Sequence, residues 1–181
     1  MSQFTTQQHE ELLDLARKTI TSFVVYGQWE NYSPSNPEML QEAGAFVTLR
    51  IDGALRGCTG HMKADKPIWR VIQEMAVSAA STDPRFPPLN ERELEQLTIG
   101  ISILSPLIPV TRIEDIQIGV HGLLITHGGR RGVLLPQVPE ERGWDRETFL
   151  TNLCYKAGLP GDAWKMGAQL FSFTAEVFGV D

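Results

Sequence analysis

At 181 residues, with 42% hydrophobic and 21% charged side chains, the chain can bury a core and has the composition of an ordinary globular protein. Its net charge of −6 argues against a nucleic-acid binder built on a basic face, and no apolar run reaches the length of a membrane span. Two cysteines far apart in sequence do not make a disulfide framework, and the start Met1-Ser-Gln-Phe-Thr-Thr-Gln-Gln-His9 lacks the positive and apolar regions of a signal peptide, so a reducing cytoplasm is the expected compartment.

Residues 6–26 carry Leu12, Leu13, Ala16, Ile20, Phe23 and Val24 at helical spacing, with Glu10, Asp14 and Lys18 outside that stripe. Residues 27–39, which hold Pro34, Asn36 and Pro37, read as an irregular connection. Residues 45–51 are apolar and β-branched and run into Asp52-Gly53, a tight-turn pair that sends the chain back along 54–58 as the second arm of a hairpin. Pro67 suits the first position of a helix whose apolar face is Ile68, Val71, Ile72, Met75, Ala76 and Ala79. Asp83-Pro-Arg-Phe-Pro-Pro88 stops that helix, and Asn90 is placed to cap a short helix over 91–97.

Residues 98–105 alternate as a strand, closed by Pro106 and Pro109. Residues 120–126 and 132–135 read as paired strands joined across His127-Gly-Gly-Arg-Arg131. Asp145 or Thr148 then opens a helix with Phe149, Leu150, Leu153, Cys154 and Ala157 inward. Residues 170–178 alternate as a last strand. Hairpin signals outnumber strand–helix–strand units, which predicts an α+β fold with a largely antiparallel sheet in a single domain over 1–181.

Leu55-Arg-Gly-Cys-Thr-Gly-His61 carries the chemistry that the pattern alone does not require. Side chains alternate along a strand, so Arg56 and Cys58 are expected on one side, where a guanidinium would favour the thiolate. His61 is near enough in sequence to serve as a base. The structural alternative is a small packed cysteine, with Gly57 and Gly60 marking a bulge or bend. Cys154 sits on an apolar helix stripe and reads as core.

The turn His127-Gly128-Gly129-Arg130 offers backbone donors and a guanidinium to a phosphate or carboxylate, with a plain Gly-Gly hairpin as the alternative. Asp83 and Arg85 read as an ion pair that fixes their loop, or as contacts to an anionic substrate. The histidines His9, His61, His121 and His127 form no helical pair. Gly-x-Gly-x-x-Gly, phosphate-binding-loop and Gly-x-Ser-x-Gly patterns are lacking, so no metal and no cofactor is predicted.

Taken in order, Gly44-Ala-Phe-Val-Thr48, Leu55-Arg-Gly-Cys58 with Gly60, Asp83-Pro-Arg-Phe-Pro-Pro-Leu89, Glu93-Leu94 and Ile101-Ser-Ile-Leu-Ser-Pro106 resemble the AMMECR-type domain. The likeness continues through Ile118-Gly-Val-His-Gly-Leu123, Leu135-Pro-Gln-Val138, Trp144, Asp145 and Lys156-Ala-Gly-Leu159. One departure follows the cysteine, where the family usually has Ile-Gly-Thr and this chain has Thr59-Gly60-His61. The resemblance implies an α+β fold of two lobes with a cleft between them. It also implies a setting shared with a Memo-like protein and a radical S-adenosylmethionine enzyme.

Two functions are expected on this basis. In one, Cys58 is a thiolate nucleophile assisted by Arg56 and His61, with Asp83, Arg85, Phe86, His127, Gly128, Gly129 and Arg130 around a small anionic ligand. In the other, the Cys58 strand and the 83–88 loop form a non-catalytic binding surface for the pathway partners. The geometric expectation is that Cys58 faces a cleft with 83–86 and 127–131 among its walls.

Overall fold

The computed structural model describes residues 3–179, which divide into two compact units. The first unit takes the chain up to Leu104 and again from Glu176; the second takes Ser105–Ala175. No helix among the described residues is long and apolar enough to cross a membrane.

The first unit opens with α1 (Thr6–Tyr26), whose ends are written in the sequence. The Thr5 hydroxyl accepts from the Gln8 amide while the Gln8 side chain accepts from the Thr5 amide, and Gly27 closes the other end at φ 66°. Leu12, Ala16 and Ile20 are buried as the stripe requires. Strands β1 (Ala45–Ile51) and β2 (Ala54–His61) form the expected hairpin, with Asp52 and Gly53 both at positive φ. The return arm is longer than the 54–58 that the sequence suggests.

Helix α2 (Ile68–Ser81) begins one residue after Pro67, which is its cap rather than its first turn. Asn90 does cap the following segment, a 3-10 helix over Glu91–Gln96, with Glu93 completing a capping box. Strand β3 (Leu97–Leu104) pairs antiparallel with β1. With β8 (Ala175–Phe178) the strands make a sheet in the order β2-β1-β3-β8, so β2 is an edge. Ala45, Val47 and Leu49 of β1 and Leu97, Ile99, Ile101 and Ile103 of β3 alternate onto the helix side. There they join Leu12, Ile20, Ile68, Val71, Ile72 and Ala76 in one core.

The second unit holds β4 (Ile108–Pro109), β5 (Gly122–His127), β6 (Arg130–Leu134) and β7 (Gln169–Phe173), in the sheet order β4-β7-β5-β6. Helix α3 (Gln137–Glu141) is short, and α4 (Arg146–Lys156) is capped by Asp145 and buries Phe149, Leu150, Leu153 and Cys154 against Leu123 and Ile125. Burial pushes the Cys154 thiol up, as suits a core side chain.

The architecture is α+β with antiparallel sheets, as the hairpin signals predict. One strand assignment is corrected: residues 170–178 are not one strand. The chain breaks at Thr174, where Ser105 is bonded to both Thr174 backbone groups, and β7 and β8 belong to different sheets.

Candidate functional site

Cys58 lies within β2, half-buried, and its position is set by an irregularity in the hairpin. Arg50 pairs with Leu55 but Leu49 pairs with Gly57, so Arg56 is the extra residue of a β-bulge. The bulge moves the register by one and brings Cys58 directly opposite Thr48. The Thr48 hydroxyl meets the Cys58 sulfur at 3.3 Å. Both stand on the face of the sheet that points away from α1 and α2.

Because β2 is an edge, its outer backbone groups have no strand to bond. The 83–88 loop supplies the partners instead. The Asp83 carboxylate, only 4% exposed, accepts from the Cys58 amide at 2.9 Å, and Arg85 Nη2 donates to the Cys58 carbonyl at 3.3 Å. Asp83 also accepts from the Arg85 amide, Nε and Nη2 at 3.0, 3.0 and 2.7 Å. The Arg85 guanidinium holds the Asp83 carboxyl far below the usual carboxylate range, against the opposing effect of burial. Asp83 in turn raises Arg85, with a smaller contribution from the nearby Cys58 sulfur.

The expected pairing of Arg56 with the thiol is corrected by these contacts. Its Nε and Nη2 bond the two oxygens of Glu93 at 2.7 and 3.1 Å, and its guanidinium also donates to the carbonyls of Pro87 and Pro88. The bulge is the physical reason, since strict alternation fails at the extra residue. Arg56 therefore ties the far end of the loop to β2, and holds the Glu93 carboxyl low. Phe86 lies under both guanidiniums, 5.9 Å from Arg56 and 5.5 Å from Arg85.

His61 is likewise directed away from Cys58. It pairs opposite Ala45, on the helix-side face of the strand, and its Nε2 meets Asp65 at 2.6 Å. The flanking glycines have their own explanation. A Cβ on Gly57 would lie 2.2 Å from the Ala79 carbonyl oxygen of α2, and one on Gly60 would lie 2.3 Å from the Phe46 ring. They admit a helix backbone and an aromatic ring, which is the bend-and-packing alternative.

In the second unit, Gly128 and Gly129 form the tip of the β5–β6 hairpin, both at positive φ. Thr126, His127, Gly128 and Gly129 line a shallow depression of about 370 Å³ with Gly167 and Gln169. Arg130 does not turn into it; its Nη1 donates to the Gly158 carbonyl. The expected set thus separates by unit: Cys58, Arg56, His61, Asp83, Arg85 and Phe86 belong to the first, and His127, Gly128, Gly129 and Arg130 to the second. Among the described residues, no group of three or more His, Cys, Asp or Glu side chains is arranged to hold a metal ion.

Sequence reasoning missed Thr48 and Glu93 as members of the Cys58 neighbourhood. The turn at Asp52-Gly53 fixes the hairpin register only as far as the bulge, so counting from it puts Thr48 opposite Gly57.

A model of the AMMECR1 family matches residues 13–178. Protein MK0488 of Methanopyrus kandleri is 40% identical over 184 aligned positions, covering 96% of this chain and 89% of that protein. A Thermococcus gammatolerans protein is 41% identical, with 93% and 88% covered. The crystal structure of the uncharacterized protein PH0010 from Pyrococcus horikoshii superposes with a TM-score of 0.93 at 34% identity, covering 97% of this chain and 93% of that one.

Proposed function

The chain belongs to the AMMECR1 family, and from that premise we propose that it acts through Cys58 as a thiolate nucleophile in a reducing cytoplasm. The observation that carries this reading is the clamp on Cys58. A half-buried thiol sits on a strand where the Cys58 amide is bonded by the buried Asp83 and the Cys58 carbonyl by its ion-pair partner Arg85. A nucleophile held on a rigid element needs little ordering when substrate arrives. Arg85, half-exposed at 52%, is the guanidinium that bonds Cys58, at its carbonyl, where the sequence put forward Arg56.

Iodoacetamide tests this directly. The Cys58 thiolate attacks the methylene carbon, a C–S bond forms, and iodide leaves with the bonding pair. We expect Cys58 to alkylate about tenfold faster than a cysteine peptide near pH 7. Cys58→Ser reports the background from buried Cys154. A Cys58 rate at or below that of the peptide overturns the nucleophile reading.

A second reading has its own support. Arg85 and Arg56 are both paired with carboxylates of this chain, which is how a structural loop clamp would look. On this reading the β2 edge and the 83–88 loop form a docking surface for a Memo-like protein and a radical S-adenosylmethionine enzyme, the setting the family resemblance implies. Cys58→Ser then retains both partners in a pull-down from cells. Absence of any association between the wild-type chain and either folded partner at micromolar concentration counts against it.

A further inference from the structure

The Gly44-Ala-Phe-Val-Thr48 stretch is one of those that carry the family resemblance. Its first residue has a packing reason: a Cβ on Gly44 would lie 2.6 Å from the His61 carbonyl oxygen and 2.8 Å from that of Met62, so the start of β1 can approach the end of β2. Its last residue is Thr48.

We infer that Thr48 is a positioning residue for Cys58, donating its hydroxyl proton to the sulfur and holding it in the ionised form and in one rotamer. This rests on the nucleophile reading above. The geometry is a directly opposed cross-strand pair, the arrangement in which side chains on one sheet face come closest. The Oγ1–Sγ separation of 3.3 Å is a hydrogen bond to sulfur. With a neutral thiol either atom can donate, but a thiolate can only accept, so the bond strengthens when the proton leaves.

The β-branch adds the second half of the role, because a threonine in a strand has few χ1 choices and so presents its hydroxyl in a fixed direction. His61 and Arg56, the nearby groups the sequence put forward for this task, are bonded to Asp65 and Glu93. Among the described residues, Thr48 is the side chain with a hydrogen bond to the sulfur.

The experiment measures Cys58 alkylation by iodoacetamide in wild type, Thr48→Ser and Thr48→Val, near pH 7 and at about pH 10, with thermal unfolding recorded for each. Thr48→Val is expected to slow alkylation about tenfold near pH 7, while at about pH 10, where both thiols are ionised, the rates converge. Thr48→Ser keeps the hydroxyl and retains most of the wild-type rate. If the Val variant does not fold, Thr48→Ala removes the hydroxyl in a smaller side chain and gives the same comparison. A fast wild type with no slowing in the variant that lacks the hydroxyl overturns the role of Thr48 alone. Equal slowing at both pH values also overturns it, because that pattern reports access rather than ionisation. A slow wild-type Cys58 overturns the nucleophile reading and this inference with it.

Discussion

Asp83→Asn is expected to destabilise the protein by about 3 kcal/mol, although it is nearly isosteric. One carboxylate oxygen accepts from the Cys58 amide and Arg85 Nη2, and the other accepts from the Arg85 amide and Nε. An asparagine has only one acceptor oxygen. Whichever way its amide turns, the NH₂ group faces two N–H donors, at a site only 4% exposed. Arg85 then loses its counter-charge and the β2 edge loses its cap. The midpoint of thermal unfolding should fall by about 6–12 °C for a chain of this size. A fall of less than about 2 °C would show that the clamp contributes little to stability.

The same contact sets a pH dependence. Asp83 is held below its usual range in the folded protein, so its contribution is complete above the ordinary carboxylate value of about 4. It is lost progressively as the pH falls below that value, because the unfolded chain takes up the proton first. Wild type should therefore lose its advantage over Asp83→Asn progressively as the pH falls below about 4, as urea midpoints at each pH will report. Glu93, lowered chiefly by Arg56, adds to the acid sensitivity of both proteins and drops out of the difference.

The parts of this molecule that were legible in the sequence are those fixed by neighbours in the chain. The ends of α1 follow from Thr5, Gln8 and Gly27, and the β1–β2 turn from Asp52-Gly53. The parts that were not legible depend on partners far away in sequence. Nothing local marks Thr174 as a break, because the bonds that hold it come from Ser105, 69 positions earlier. Arg56 reads as a neighbour of Cys58 only under strict alternation. One inserted residue in β2, invisible to a period-2 count, sends its guanidinium to Glu93 and gives the sulfur to Thr48. The candidate cysteine and the Asp83–Arg85 ion pair were legible; the partners of Arg56 and of the sulfur were not.

Gly57→Ala is expected to cost about 3 kcal/mol or more, and to do so through the backbone. The added methyl would sit 2.2 Å from the Ala79 carbonyl oxygen and 3.1 Å from its carbon, atoms of α2 that no rotamer change can move. Either the strand or the helix must retreat. The strand is tied to α2 by Thr59, whose hydroxyl donates to the Met75 carbonyl at 3.0 Å, and to the loop by Asp83 at the Cys58 amide. Retreat therefore stretches the bonds that fix Cys58, and the variant should lose both stability and the alkylation rate of the thiol. Gly60→Ala is the comparison, since its methyl meets side-chain atoms of the partly buried Phe46 ring rather than backbone. Denaturant unfolding of the two variants should place Gly57→Ala well below Gly60→Ala. Equal midpoints would mean that α2 yields easily, and that the glycine before Cys58 is not what lets helix and strand close upon each other.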